Sequence, residues 1–405
     1  MSLPKTYYLD PLFDLFLGGY PFDKVRRSSS EMSVLFYACC SKSDTLILDC
    51  DVPEDYAFYL SDTGLCRPAN IIRKKSADLP QSTGIPWGWS AHAAERLRGC
   101  NAACDMPDWE IVKKVNNRRF CNQLGIHHSF GVPGSFFCES ETALDKARAK
   151  LNTTFPLVIK PAFGGSGFGM KVVHSESEMY AQMTHIRNCI DHGGFVLEPW
   201  CKRVCDLSTN CIIKKDGSID LVRHQRLFSN DFGAFFGIYC APVDPALDKW
   251  SDELERTALI TAKELVHEGY YGPAGFDHFV YTTVTGEECL APVIEINGRH
   301  VMSHVAHAVR NQIAPGKYGF LRMISKKRCT LPQTYAEWNR LISGLNNVVL
   351  LTPLRICHDR DWVQPSRTAL FIFADSESEL FETDSTVRAR IERFPAVGKL
   401  VISNV

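Results

Sequence analysis

The 405-residue sequence lacks a long apolar run and a large excess of charge of either sign. No stretch approaches the roughly 20 apolar residues that a membrane-spanning helix needs. The net charge of −1 is unlike that of general nucleic-acid-binding or membrane-surface proteins. The first ten residues also lack the basic and apolar regions of a signal peptide. We therefore expect a cytoplasmic protein that binds neither nucleic acid nor membrane.

Cysteine motifs for metal binding are also missing, although cysteine itself is common. The chain has 16 cysteines, and the pairs Cys100/Cys104 and Cys201/Cys205 have no matching Cys or His cluster at zinc-ligand spacing. Scattered cysteines in a chain of this length are typical of small buried side chains in a reducing compartment. We expect neither a disulfide scaffold nor a zinc site.

Changes in the hydrophobic pattern divide the chain into three segments. Residues 1–107 alternate short helical and strand patterns, which predicts a small α/β domain with a parallel sheet. Residues 108–320 contain glycine-rich and polar hairpins and a clear helical pattern over 254–268, which predicts an α+β unit. Residues 321–405 have two strand patterns and one helical pattern. We expect this last segment to be an α/β extension packed on the middle one, with no chemistry of its own.

The most informative stretch covers residues 155–173, with two strand patterns around a glycine-rich loop. The loop contains Gly164, Gly165, Ser166, Gly167 and Gly169. Glycines let backbone N–H groups approach a ligand closely, and such amide rows most often hold phosphate. Lys160 adds a cation at the end of the first strand. The loop is neither a Walker loop nor a Rossmann fingerprint, because a strand follows it instead of a helix. A flexible surface hairpin is the alternative.

A second hairpin carries acidic and amide side chains. Its strands are predicted over 275–281 and 292–296, with Asp277 on the first. Alternation places Glu295 and Asn297 on one face of the second strand, and Arg299 continues toward the same side. Carboxylate and amide oxygens are the ligands that Mg²⁺ prefers. The sequence therefore predicts a magnesium site here, with ordinary polar residues on an exposed sheet face as the alternative.

The order and spacing of these features resemble the ATP-grasp superfamily. A lysine and glycine hairpin comes first, then a glutamate at a strand end, Glu198, and then a hairpin that ends in Glu-x-Asn-x-Arg. The resemblance covers about half of the chain, residues 108–309. It implies a nucleotide held between two α+β subdomains, at about 108–195 and 196–320, with the glycine hairpin as a lid. The N-terminal α/β domain is similar to the one that precedes this fold in the family.

The resemblance also implies nucleotide-binding roles for individual residues. Lys160 and the loop residues Gly164, Gly165, Ser166 and Gly167 correspond to the phosphate-binding set. Glu198 corresponds to the acid beside the adenine, and Asp206 to the acid that binds the ribose. Arg118 corresponds to a basic residue that contacts the nucleotide, although Arg119 and Lys114 fit the same place.

Metal and catalytic roles follow from the same resemblance. Asp277, Glu295 and Asn297 correspond to ligands of Mg²⁺, with two ions expected and Mn²⁺ as a substitute. Arg299 corresponds to the arginine that steadies the transferred phosphate, and Lys160 supplies further positive charge to the reaction.

The implied activity is that of an ADP-forming, ATP-dependent carboxylate–amine ligase. Such an enzyme activates a small carboxylate as an acyl phosphate and joins it to an amine, such as an amino acid or a peptide-like substrate. His224, Arg226 and His304 are candidate substrate contacts. An ATP-grasp small-molecule kinase or carboxylase-type enzyme and a non-catalytic nucleotide-binding scaffold are the alternatives. Family members are commonly dimers, which leaves a homodimer open.

Overall fold

The structure is a computed structural model that describes residues 3–20, 30–151, 154–165, 167, 169–230, 233–325, 330–358 and 361–394. These residues form four β-sheets with helices packed around them. None of the described helices is long and apolar enough to cross a membrane.

The N-terminal domain is a five-stranded sheet in the order β3-β2-β1-β4-β5, and every pairing in it is parallel. The parallel-sheet α/β domain that the sequence predicts is therefore confirmed. Ser90 begins its last helix, because the Ser90 hydroxyl accepts a hydrogen bond of 3.1 Å from the Ala93 backbone N–H. The elements are β1 (Lys5–Tyr8), α1 (Phe13–Leu17), a 3₁₀ helix (Ser30–Cys39), β2 (Thr45–Ile47), α2 (Glu54–Asp62), β3 (Asn70–Ile72), β4 (Ser82–Pro86), α3 (Ala91–Arg98) and β5 (Ala102–Ala103).

The next unit has a four-stranded antiparallel sheet in the order β6-β9-β7-β8. Two helices follow Asp108, and they are separated at Asn116 and Asn117. The Asn117 side chain accepts a hydrogen bond of 2.8 Å from the Arg119 backbone N–H, which starts a second helix with Arg118 in its first turn. The elements are α4 (Trp109–Val115), α5 (Arg118–His128), β6 (Phe136–Cys138), α6 (Glu141–Lys150), β7 (Leu157–Pro161), β8 (Lys171–Val173), α7 (Glu176–Ala181), α8 (Met183–Asp191) and β9 (Phe195–Pro199).

The rest of the described chain contains an eight-stranded antiparallel sheet in the order β14-β13-β10-β11-β12-β15-β19-β16 and a two-stranded sheet, β17-β18. The first five strands of the eight-stranded sheet and three helices precede residue 314. These elements are β10 (Lys202–Ile213), β11 (Ile219–Ser229), β12 (Phe235–Cys240), α9 (Pro245–Asp248), α10 (Ser251–His267), β13 (Gly272–Thr282), β14 (Glu288–Asn297) and α11 (Met302–Ile313).

The C-terminal extension continues this same sheet. We expected an α/β extension packed on the middle segment, and the structure joins it through the sheet itself, because β15 pairs directly with β12, and β19 and β16 follow it. The predicted boundaries of the three segments stay predictions. The elements are β15 (Tyr318–Ser325), α12 (Tyr335–Leu341), β16 (Val348–Leu350), β17 (Ile356–His358), β18 (Asp361–Val363), β19 (Arg367–Ala374) and α13 (Glu377–Glu392).

A buried glutamate joins the N-terminal domain to this extension. Glu31 is 0% exposed, and its carboxylate accepts hydrogen bonds of 2.8 Å from the Ser366 hydroxyl and 3.0 Å from the Arg367 backbone N–H. Burial raises the pKa of Glu31 from 4.5 to about 7, since the charged form loses its hydration.

This raised pKa predicts a pH-dependent stability that Glu31→Gln removes. The folded protein binds the Glu31 proton more tightly than the unfolded chain does, so stability falls as the pH rises from about 4.5 to about 7. The effect amounts to about 3 kcal/mol of unfolding free energy. Urea unfolding at about pH 5 and about pH 8 measures it. An unchanged pH dependence in the variant would contradict the assignment.

Candidate nucleotide and metal site

Two adjoining cavities lie between the four-stranded sheet and the eight-stranded sheet, and the larger one also borders the N-terminal domain. The larger has a volume of about 1110 Å³, and the smaller has a volume of about 310 Å³. Both are bordered by Arg118, Lys160 and Ile294. Pockets for one small ligand usually have about 300–1,000 Å³. The two cavities together therefore have room for more than one reactant.

The carboxylates of the second hairpin face the larger cavity. Ser208, Asp277 and Glu295 lie side by side across β10, β13 and β14, so their side chains share one sheet face. The Asn297 amide donates a hydrogen bond of 3.3 Å to Asp277. Burial, followed by the negative charge of Glu295, raises the pKa of Asp277 to about 7. Two carboxylates that repel each other in this way would be stabilised by a cation.

Mg²⁺ fits this donor set, because Asp277, Glu295 and Asn297 all offer side-chain oxygens. Within the described ranges, no three His, Cys, Asp or Glu side chains are grouped closely enough to hold a metal by themselves. An ion bound here would therefore take its remaining ligands from phosphate oxygens or water.

Lys160 and Glu198 form a buried ion pair where the two cavities meet. They lie on the same face of the neighbouring strands β7 and β9, and each is 5% exposed. The Ser135 hydroxyl donates a hydrogen bond of 3.1 Å to the other oxygen of Glu198. The lysine is thereby fixed beside both cavities, and the glutamate borders the smaller one.

Arg118 connects the glycine loop to the carboxylates. Its guanidinium donates hydrogen bonds of 2.6 Å to the Pro161 carbonyl, 3.1 Å to the Gly164 carbonyl and 2.5 Å to Glu295. The other two candidates for this position point elsewhere. Lys114 pairs with Glu268, and Arg119 pairs with Glu139. Among the three, Arg118 is therefore the residue that the structure brings to the cavity.

The glycine loop approaches the same place. Gly164 and Gly167 have φ values of 154° and 77°, which favour glycine. Gly165 and Gly167 border the larger cavity. Ser166, which we assigned to the phosphate-binding set, lies outside the described residues.

Arg299 pairs with an acid that the sequence analysis missed. Its Nε and Nη2 donate hydrogen bonds of 2.7 Å and 2.8 Å to the two oxygens of Asp14, and Nη2 also donates to Asn297 at 2.9 Å. A Cβ at position 165 would collide with the Asp14 carboxylate, so a larger residue there would displace the group that holds Arg299. Asp14 belongs to α1 of the N-terminal domain. No local motif indicates this contact, because the two residues are 285 positions apart.

Asp206 lies beside the carboxylates on β10. It is two residues before Ser208, on the same strand face, and it accepts a hydrogen bond of 2.8 Å from Arg203. Its charge contributes to the raised pKa of Asp277. The structure therefore brings Asp206 to the larger cavity, close to the predicted metal ligands.

Two of the three predicted substrate contacts lie on the face of the eight-stranded sheet that points away from the carboxylates. On β11, His224 is opposite Thr209 and Arg226 is opposite Leu207, so both share the face that points away from the carboxylates. His224 bonds to the Thr209 hydroxyl at 2.8 Å. The prediction that these two side chains face the cavity is corrected by this register.

His304 does not border the cavity either. It is on α11, and its Nδ1 accepts a hydrogen bond of 3.0 Å from the Val301 backbone N–H. Burial lowers the pKa of His304 well below its ordinary value, so the ring is neutral. This hydrogen bond gives His304 a structural role at the start of α11.

Arg226 holds the sheet to the C-terminal extension, and we predict a structural phenotype for Arg226→Met. Its guanidinium donates to Asp244 at 2.8 Å and to Glu377 at 2.7 Å. Breaking a pair with the buried Asp244 should lower the unfolding free energy by about 2–4 kcal/mol. Calorimetry should show unchanged affinity for Mg·ATP.

The matched control for this prediction is Arg256→Met, which removes an exposed pair with Glu253 and should cost less than about 1 kcal/mol. A loss of nucleotide affinity at full stability would instead place Arg226 at the site.

Comparisons with known proteins agree with this geometry. Residues 114–313, just under half of the chain, match the family described as carbamoyl-phosphate synthase L chain, ATP binding domain. The chain is also 26% identical over 276 residues to the [butirosin acyl-carrier protein]–L-glutamate ligase of Niallia circulans. That match covers 66% of this chain and 64% of the relative, so the chain spans less than two thirds of the relative's length.

Solved structures resemble nearly the whole chain. Biotin carboxylase from Campylobacter jejuni, in a β-γ-ATP complex, has a TM-score of 0.59 at 13% identity, over 96% of this chain and 92% of its own. N5-carboxyaminoimidazole synthetase from Staphylococcus aureus, in complex with ADP, has a TM-score of 0.55 at 13% identity, over 97% and 98%. At these identities the likeness concerns the fold, and it confirms the fold class that the sequence predicts.

Proposed function

Because the chain belongs to the ATP-grasp superfamily, we propose that it is an ATP-dependent ligase that joins a small carboxylate to an amine through an acyl phosphate. We refer to Asp277 and Glu295 as the carboxylate row. One observation carries this proposal: the glycine loop, the Lys160–Glu198 pair, the carboxylate row and Arg299 meet at one cavity. Such a grouping of fixed charges suits phosphoryl transfer, which depends on positioning and charge neutralisation.

In this proposal the adenine occupies the smaller cavity and the phosphates extend into the larger one. Val196 and Glu198 border the smaller cavity on one side, and Val293 and Ile294 border it on the other. Lys160 stands where the phosphates would pass from one cavity to the next. The glycine loop offers backbone amides to the same phosphates.

Asp277, Glu295 and Asn297 are the residues that would hold Mg²⁺, which neutralises charge on the phosphate oxygens when it is bound. Arg118 orients Glu295 through its 2.5 Å hydrogen bond. The carboxylate row is thus oriented by hydrogen bonds within the chain.

The proposed reaction has two steps. An oxygen of the substrate carboxylate first attacks the γ-phosphorus of ATP, the bond to the bridging oxygen breaks, and ADP leaves. The amine then attacks the acyl carbon, phosphate leaves with the electron pair of the C–O bond, and the nitrogen loses a proton. Arg299, held by Asp14 and Asn297, is placed to stabilise the negative charge that develops in both steps.

No covalent nucleophile from the chain is needed, and the thiol that borders the smaller cavity is unsuited to that role. Cys121 borders the smaller cavity, where burial raises its pKa to about 12. It is therefore a protonated thiol at neutral pH, not the reactive thiolate.

The curated relative suggests which reactants to test first. The name of that relative describes a ligase for L-glutamate and an acyl-carrier protein. We therefore include amino acids among the carboxylates to be tested as substrates. Because carboxylases are among the similar folds, a carboxylase-type or kinase activity is the second candidate.

ADP release from Mg·ATP with pooled amino acids and small carboxylic acids tests the proposal. Release that depends on one pool and stops when the amine is left out supports the ligase. Release without an amine requirement, with a phosphorylated product, supports the kinase. Binding of Mg·ATP with no turnover in any pool would favour the non-catalytic scaffold.

A further inference from the structure

We propose that the C-terminal extension forms a second binding site in the larger cavity, for an apolar or aromatic group that carries a carboxylate or a phosphate. This inference rests on the proposed function and adds the chemical class of one reactant. We refer to Phe228, Phe236 and Phe381 as the aromatic wall, and to Arg322, Arg367 and Arg388 as the arginine rim.

The aromatic wall borders the cavity on half-buried faces. The Phe228 ring is 6.1 Å from the Phe236 ring and 5.6 Å from the Phe381 ring, which makes the wall continuous. Across the sheet, Phe228 pairs with Gly237, and Gly237 pairs with Arg322. The glycine leaves space between them that the buried Phe320 ring fills, because a Cβ at position 237 would collide with that ring. Aromatic faces of this kind bind flat or apolar groups.

Two of the three rim arginines are oriented by one buried acid. Asp384 is 2% exposed and accepts hydrogen bonds from Arg322, with a Nη2–Oδ2 distance of 2.6 Å, and from Arg388 Nε at 3.2 Å. The Arg322 guanidinium also lies 4.9 Å over the Phe236 ring. Asp384 thus holds one guanidinium against the aromatic wall and orients a second one beside it.

Positive charge remains available to a ligand at this end of the cavity. The side chain of Arg388 is 48% exposed, and its Nη1 and Nη2 make no hydrogen bond within the described part of the chain. Arg367 contributes a further cation to the rim. Guanidinium groups bind carboxylate and phosphate through paired N–H donors, so the ligand should present one of these anions.

The position of this site assigns it to the reactant that is not the nucleotide. The proposed adenine cavity lies on the other side of Lys160. Phe228 and, through Gly237, Arg322 lie on the same sheet face as Arg226, which is the face away from the carboxylates, and both border the far end of the larger cavity. A ligand with an apolar body would then rest against the wall, with its anion at the rim.

Calorimetric titration of aromatic anions into the full chain tests the site. The probes are 3-phenylpropionate for the carboxylate and 2-phenylethyl phosphate for the phosphate monoester, with 3-phenylpropanol as the neutral match. The protein is first saturated with Mg²⁺ and the non-hydrolysable analogue AMP-PNP, which covers the nucleotide-phosphate site. We expect at least one anion to bind about tenfold more tightly than the alcohol, and the tighter of the two identifies the anion.

Arg388→Gln and Arg367→Gln should each weaken that binding about tenfold, while Arg256→Gln, on the exposed side of α10, should not. The two rim residues are exposed enough for their variants to fold. Absence of binding by both anions, or binding that both rim variants retain, overturns the inference. Failure of AMP-PNP to bind would instead count against the proposed function, and the same titrations without nucleotide would still test the rim.

Discussion

Replacing Lys160 with methionine should lower the rate of ADP formation by about 10²–10³-fold, because a fixed cation next to the transferred phosphate is lost. It should also lower the unfolding free energy by about 3–5 kcal/mol, because Glu198 would remain buried without a counter-charge. ADP release and urea unfolding measure the two effects separately.

The double variant Lys160→Met/Glu198→Gln separates catalysis from stability. Removing the charge of Glu198 as well should restore most of the lost stability, because no unpaired charge remains in the interior. It should not restore ADP release. If the double variant regains activity, or the single variant never loses it, Lys160 is not a phosphate-binding residue.

Glu295→Gln should lower ADP release by about 10²–10³-fold and shift its dependence on Mg²⁺ to higher concentrations. The change keeps the shape of the side chain and an oxygen to accept the hydrogen bond from Arg118, but it removes one of the two carboxylates that would hold the ion. Titration of Mg²⁺ at a fixed ATP concentration measures both the rate of ADP release and the Mg²⁺ concentration that it requires.

Glu139→Gln is the matched control, because Glu139 pairs with an arginine on an exposed surface. It should leave both values unchanged. An unchanged Mg²⁺ dependence in Glu295→Gln would remove the carboxylate hairpin from the proposed metal site.

The features that the sequence predicted well are those whose signal is local. Residues 155–173 and the carboxylate hairpin each contain their chemistry within a few positions, and the structure brings Lys160, two loop glycines, Asp277 and Glu295 to one cavity. Arg118 also borders this cavity, from the first turn of α5. Their roles in binding stay predictions until the variants are measured.

The face of a strand is harder to predict than the strand itself. Alternation shows that His224 and Arg226 share one face, but not which face is toward the cavity. A bulge on β10 between Asn210 and Ile212 shifts the register of β10 against β11. Alternation of side chains carries no information on such a shift, so the sequence alone could not show which face of β11 meets the cavity.

Contacts between distant segments left no sequence signal at all. Asp14 meets Arg299 across 285 positions, and Arg322 meets Asp384 across 62. Single acids and arginines of this kind are indistinguishable from surface charges until the fold brings them together. For that reason the C-terminal extension was expected to lack chemistry, although it borders the cavity.

Transfer of ¹⁸O from the substrate carboxylate to phosphate tests the acyl phosphate most directly. The active carboxylate from the ADP-release screen is labelled with ¹⁸O in both oxygens, and the released inorganic phosphate is examined by mass spectrometry. The proposed mechanism predicts one ¹⁸O atom in each phosphate, because the carboxylate oxygen that attacks the γ-phosphorus leaves with it. Phosphate without ¹⁸O, released together with the amide product, would contradict the proposed mechanism.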